Sequence, residues 1–266
     1  MDVACSTSVL ILLAALSIAY GVRLALVGRA RHARVEKEGE SAILAKAAME
    51  MMVWCGQPIV RACARLGISP DAVTLGSLGL GIAAGVAFGG GHFGLGAVLA
   101  IGAGAGDAVD GLLARHLAIA SDAGEVLDAA VDRVVDFALF AGLLFRFRQD
   151  TALFVLTLFA LLGSSMVTYS TAKADALHVV PPRGSMRRVE RVVLMVGAAM
   201  LTPLTALLGP TWRDLPFVLA LGAIAVLGNL SASQRFSVIR RAVRQREAGS
   251  CSGSHGQEET TQKAAE

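Results

Sequence analysis

The chain has 266 residues, 55% of them hydrophobic and 17% charged, with a formal net charge of +3 and a mean hydropathy of +0.61. That balance is too apolar for an ordinary soluble domain of this length and leaves one polytopic membrane domain as the reading. Cys5, Cys55, Cys63 and Cys251 are scattered without CxxC spacing, so no disulfide framework is expected.

A membrane span needs about 20 mostly apolar residues. Taken in chain order, the candidates are 8–27, 72–90, 93–115, 124–145, 153–173, 192–208 and 215–236. Residues 1–7 carry no positive charge, whereas Arg29, Arg31, Arg34 and Lys37 follow the first apolar run. The first span therefore reads as an uncleaved anchor that enters the cytoplasm at its end. Between 41 and 66 apolar positions alternate with Lys46, Glu50, Arg61 and Arg65, which predicts an amphipathic helix on the cytoplasmic face, broken near 56–58 at Pro58.

Six spans follow and return the C-terminus to the cytoplasm, the side on which the clusters Arg183, Arg187, Arg188, Arg191 and Arg235, Arg240, Arg241, Arg244, Arg246 belong. Arg146 and Arg148 are the discord, since this topology puts them outside. Glycines concentrate in the spans, as at 85–91 and 102–106, where small residues let helices approach closely. The tail from 247 is rich in Ser, Gly, Gln and Glu and is expected to be disordered.

The predicted fold is thus an all-α integral membrane protein: a six-helix transmembrane core, an N-terminal amphipathic helix and one extra N-terminal transmembrane helix. Its divisions are an anchor (1–28), a cytoplasmic linker with the interfacial helix (29–67), a core domain (68–246) and a tail (247–266). Topology and anionic lipid account for the basic clusters, and no nucleic-acid motif is present. Trp54 and Trp212 read as interface anchors, His116 and His178 as interfacial histidines.

Carboxylates are the anomaly in this apolar chain. Asp107, Asp110, Asp128 and Asp132 lie in or beside predicted spans, where an ionised carboxylate costs several kcal/mol unless a cation or a water-filled cavity compensates it. On a helix Asp107, Asp110, Gly111, Ala114 and Arg115 share one face, and Asp128 and Asp132 share a face of the next. A short turn joins the two helices, so the four carboxylates can converge. Oxygen-only ligation without His or Cys selects Mg2+ or Mn2+, and four carboxylates suit two ions better than one. Structural ion pairing is the competing explanation, but Arg115 and Arg133 are too few to neutralise the group. Asp136, one turn further, is expected to pair with Arg133 or to support the others.

These residues spell D-x2-D-G-x2-A-R-x8-G-x3-D-x3-D across 107–132, with all eight fixed positions filled. The pattern resembles the signature of the CDP-alcohol phosphatidyltransferase family, and the resemblance extends over roughly 68–244. It implies that Asp107, Asp110 and Asp128 are metal ligands and that Asp132, at the same metal centre, is the general base. The nucleotide of a CDP-linked donor would be held by Asp110, Gly111, Ala114, Arg115 and Gly124. The small residues leave room for it, and Arg115 offers a forked donor to phosphate.

Ser69-Pro70-Asp71-Ala-Val-Thr74 resembles the family's Pro-Asn-x-x-Thr near the cytidine, with Asp71 in place of the usual Asn. The stretches around Tyr169 to Asp175, Gly184 to Arg191 and Gln234-Arg235 resemble the branch that makes phosphatidylglycerol phosphate or phosphatidylinositol phosphate. By that resemblance Lys173, Arg191 and Arg235 line a pocket for the acceptor's phosphate, while Thr171 departs from a frequently basic position. The equally weighted alternative is that these cations mark cytoplasmic span ends.

The resemblance implies an inner-membrane enzyme, active on the cytoplasmic side, that moves a phosphatidyl group from CDP-diacylglycerol to a small polyol and releases CMP. Its partners would be the lipid bilayer and, as is common in the family, a second copy. The alternatives are transfer of a CDP-linked choline or ethanolamine head group to diacylglycerol, and a cation transporter using the carboxylates as an ion path.

Overall fold

The computed structural model describes residues 2–27, 46–180 and 186–263. Arg29, Arg31, Arg34, Lys37 and Arg183 lie outside those residues. The described chain is helical, with no strand among the described residues: α1 (Asp2–Val27), α2 (Lys46–Leu66), α3 (Pro70–Gly89), α4 (Phe93–His116), α5 (Asp122–Arg146), α6 (Thr151–Ala176), α7 (Arg188–Thr205) and α8 (Leu215–Lys263), with two 3-10 turns between the last two. Six helices (α1, α3, α4, α6, α7 and α8) are long and apolar enough to cross a membrane. Their outward faces carry bare apolar side chains, Ile11 at 69% and Val86 at 71% exposure among them, as lipid-facing surfaces do.

The expected span 124–145 is α5, whose length matches its neighbours. It stands outside the apolar six because Asp122, Glu125, Asp128, Asp132, Arg133 and Asp136 crowd its first half; of these the bundle buries Asp136 and half-buries Asp128 and Asp132, while Asp122, Glu125 and Arg133 stay exposed. Local chemistry sets its start: Ser121 is extended and its hydroxyl accepts from the Gly124 N–H at 3.2 Å. Ser69 does the same for α3, with Pro70 in the first turn where its missing N–H costs nothing.

Helices α3 and α5 cross at backbone contact. A Cβ on Gly142 would run into the Gly85 carbonyl, one on Gly85 into the Ala138 carbonyl, and one on Gly81 would stand 2.6 Å from Val135. Helices α6 and α8 meet similarly, Gly163 lying against Asn229, whose amide donates to the Phe159 carbonyl at 3.0 Å. In lipid, where apolar packing supplies little drive, such close approach is what holds helices together. At the end remote from the carboxylates, Phe88, Phe93, Phe147 and Phe217 form an aromatic knot, with Phe93 and Phe217 centroids 4.9 Å apart. Arg146 and Arg148 lie at that same end and lean on aromatic faces, Arg148 at 4.2 Å from the Phe145 ring, which gives both charges an interfacial seat.

Two features differ from the sequence reading. Helix α2 is continuous through Pro58 rather than broken there. The face bearing Gly56 and Val60 packs on Val109, Leu112 and Leu113 of α4, and that seam supports the turn whose hydrogen bond Pro58 forfeits. At the other end, α8 carries its helical hydrogen bonding on to Lys263, into the stretch 247–266 whose composition predicts disorder.

Helix α1 is docked at both ends. The Asp2 carbonyl and Ser6 sit against Gly94 at the start of α4, and the Tyr20 hydroxyl donates to the buried Glu50 of α2 at 2.9 Å, beside the Trp54 ring.

Candidate active site

The end of α4, the start of α5 and the start of α7 meet at one end of the bundle. The α4–α5 turn is tight enough that Ala118 takes a positive φ of 56° and the Ile119 N–H returns to the Ala114 carbonyl at 3.0 Å. That turn sets the two acidic faces opposite each other. One carboxylate oxygen from each of Asp107, Asp128 and Asp132 lies within 4.8 Å of the other two. A buried oxygen of Asp128 has no hydrogen-bond partner, and the buried Oδ1 of Asp132 has only an ion pair, with Arg188. Three clustered carboxylates repel one another in a half-buried setting, and a bound divalent cation would offset that repulsion. The donor set fits such an ion.

Asp110 is placed differently. Its buried carboxylate receives the Thr74 hydroxyl at 2.6 Å, which joins α4 to the first turn of α3. Thr74 belongs to the Ser69-Pro70-Asp71-Ala-Val-Thr74 stretch, and the motif, rather than any property of a lone threonine, was the signal that flagged it. Thr74→Val removes a charge-assisted hydrogen bond worth about 1.5–3 kcal/mol. The expected result is a KM for the CDP-linked donor raised roughly tenfold or more by the factor-of-ten rule of about 1.4 kcal/mol, read from initial rates across donor concentration.

Gly111 and Gly124 keep their faces open. A Cβ on Gly124 would meet only the Ser121 hydroxyl, and one on Gly111 only the guanidinium of Arg115, which folds back across it at 3.4 Å. Gly111, Ala114 and Arg115 thus form one shelf beside the carboxylates, at the last turns of α4.

Arg188 is the residue that the sequence reading missed. Its Nη1 stands 3.2 Å from Asp107 and 2.7 Å from Asp132, and its Nε 3.5 Å from Asp136. By sequence it groups with its neighbours as a topology marker, because nothing local ties residue 188 to residue 107. Asp136 likewise takes its partners from α7, Arg191 at 3.1 Å and Arg188, rather than Arg133.

The three expected phosphate-pocket cations separate into two groups. Arg191 is 2% exposed and is held by the Met186 carbonyl, Asp136 and Thr168. Arg235 reaches from α8 to the Thr171 hydroxyl at 2.7 Å, so the departure at 171 supplies a seat for that arginine. Both keep a buried Nε without a hydrogen-bond partner. Lys173 lines a groove of about 400 Å³ between α6 and α8 with Tyr169, Phe236, Arg240 and Arg244. Glu190 fixes this corner by accepting the Met186 and Arg187 N–H groups at 2.6 and 3.1 Å.

Comparison with known proteins points the same way. A family model described as CDP-alcohol phosphatidyltransferase matches residues 67–228. A phosphatidylinositol phosphate synthase of Mycobacteroides abscessus is 31% identical over 187 residues, covering 69% of this chain and 82% of the relative. That of Mycolicibacterium smegmatis is 33% identical over 195 residues, covering 69% and 83%. Among solved structures, Mycobacterium tuberculosis phosphatidylinositol phosphate synthase with CDP-DAG bound aligns with a TM-score of 0.63 at 28% identity, over 69% of this chain and 92% of that one. Its complex with manganese and citrate aligns with the same score and identity, over 69% and 88%.

Proposed function

The chain belongs to the CDP-alcohol phosphatidyltransferase family, and from that membership we propose that it transfers a phosphatidyl group from CDP-diacylglycerol to a phosphorylated polyol, releasing CMP. The observation that carries the reading is the three-carboxylate cluster of Asp107, Asp128 and Asp132 set beside the Gly111, Ala114 and Arg115 shelf. A phosphorylated acceptor, inositol phosphate first, is favoured by the relatives' activity and by the arginines at the head of α7 and on α8.

Asp107, Asp128 and Asp132, with Asp110 one turn along α4, would hold a pair of Mg2+ or Mn2+ ions. The chemistry such ions supply is neutralisation of the donor pyrophosphate. Asp132 takes the proton from the acceptor hydroxyl, whose oxygen attacks the β-phosphorus of the donor. The bond from that phosphorus to the bridging oxygen breaks, and the electron pair leaves on CMP. Arg115 and the small residues of the shelf orient the nucleotide. Arg191 and Arg235 present their free Nε edges to the acceptor phosphate. Such chemistry at one end of the bundle lets acyl chains remain in lipid while the acceptor arrives from water. The basic residues gathered at that end, Arg187, Arg188, Arg240, Arg241 and Arg244 among them, support a cytoplasmic-membrane location with the site facing the cytosol.

The test is CMP release in mixed micelles containing CDP-diacylglycerol and Mg2+ or Mn2+, with inositol 1-phosphate, glycerol 3-phosphate, inositol and serine as acceptors. A phosphorylated acceptor is expected to support release and its unphosphorylated counterpart to fail. Release with CDP-choline and diacylglycerol alone would instead establish head-group transfer.

A further inference from the structure

Two arginines one turn apart on α7 are held in different ways. Arg191 makes three directed hydrogen bonds, to a carbonyl, a carboxylate and a hydroxyl. Arg188 is held to Asp132 by charge. Its Nη1 lies close to Asp107 and Asp132, yet its Nε and the Asp132 Oδ1 that it approaches are both buried without an aligned hydrogen bond. An ion pair without alignment keeps most of its Coulomb attraction and forgoes the directional part that makes arginine–carboxylate forks hard to exchange. The carboxylates it touches are two of the three whose oxygens cluster within 4.8 Å. A guanidinium and a divalent cation are therefore rivals for the same carboxylates.

We propose that Arg188 is an exchangeable counter-ion of the carboxylate centre, one that yields Asp107 and Asp132 to the divalent metal and then serves the phosphate of the acceptor. This rests on the reading of the three carboxylates as a metal site. Asp136 is outside the cluster of three and sits between the two arginines, 3.5 Å from Arg188 Nε and 3.1 Å from Arg191 Nη2. It keeps Arg188 tethered beside Arg191 when the other two carboxylates are taken. Metal loading then converts a guanidinium neutralised by carboxylates into one available to an anion. Linkage requires the converse as well: an anion that engages Arg188 must tighten metal binding. Arg188 is in this sense a positioning residue for metal and acceptor together.

The experiment measures Mn2+ binding directly, from the electron paramagnetic resonance of free Mn2+, on the full chain in zwitterionic nanodiscs without nucleotide. Wild type, Arg188→Gln, Arg188→Lys and Asp107→Asn are compared, each with and without glycerol 3-phosphate. Arg188→Gln is expected to bind Mn2+ about tenfold more tightly than wild type, the order that one displaced pair of about 1.4 kcal/mol gives, with Arg188→Lys between the two. Glycerol 3-phosphate is expected to tighten Mn2+ binding several-fold in wild type, within the usual 5–150-fold range of coupled sites, and to do nothing in Arg188→Gln. A merely structural arginine would give weaker metal binding when removed, so the direction of change decides. Equal or weaker binding by Arg188→Gln, with Asp107→Asn losing Mn2+, overturns the exchange and leaves the metal site standing. Absence of Mn2+ binding in wild type and Arg188→Gln alike overturns the metal site itself. If Arg188→Gln does not fold, Arg188→Lys carries the test, tighter binding than wild type supporting the exchange and equal or weaker binding overturning it.

Discussion

Asp132→Asn is expected to lower CMP release by about 10²–10⁴-fold, the range for loss of a positioned general base, while the protein still inserts and unfolds at a similar temperature. Asparagine keeps the shape and one acceptor oxygen but has neither charge nor a basic site. Because Asp132 is one of three clustered carboxylates, its loss also removes a like charge from beside Asp107 and Asp128. The stability lost with the Arg188 contact at 2.7 Å is thus partly offset by relief of repulsion. Initial rates at saturating donor and acceptor, set beside a thermal melt in detergent, check both halves. Asp136→Asn is the informative neighbour. It frees Arg191 and Arg188 of a shared carboxylate without touching the cluster, so its main effect is expected on acceptor KM.

Gly142→Ala is expected to cost more stability than any single surface change. The obstacle to its new methyl is the Gly85 carbonyl, which is backbone and cannot rotate aside. Overpacking of this kind costs about 1–3 kcal/mol and occasionally more. Helices α3 and α5 must part to admit it. Since α3 carries Thr74, which holds Asp110, and α5 carries Asp128 and Asp132, the site loses its geometry with the crossing. The control is Gly76→Ala, on the partner helix α3, with nothing within 4 Å of its added Cβ. That substitution is expected to be neutral or mildly stabilising, by up to about 1 kcal/mol of helix propensity. A lowered unfolding temperature for Gly142→Ala and not for Gly76→Ala would separate packing from composition.

What could be read from the sequence was what neighbouring residues decide. Span positions followed from runs of apolar residues. The shared faces of α4 and α5 followed from spacings of three and four. The acidic centre was legible because a single hairpin holds all of it. The partners of that centre were not, since Arg188, the Thr74–Asp110 bond and the Arg235–Thr171 bond each join helices far apart in the chain. Pro58 read as a break because the sequence does not display the α4 surface that steadies α2.

The division of the centre between a local hairpin and a distant arginine also bears on how the protein is made. Chains emerge N-terminus first, so α4 and α5 are released from the ribosome while α7 is still untranslated. During that interval the hairpin reaches the bilayer with its carboxylates together and its tertiary cation not yet in existence. Water or ambient Mg2+ must shelter them until Arg188 arrives, which makes the order of insertion, and not only the finished packing, a condition on where these aspartates can sit along the chain.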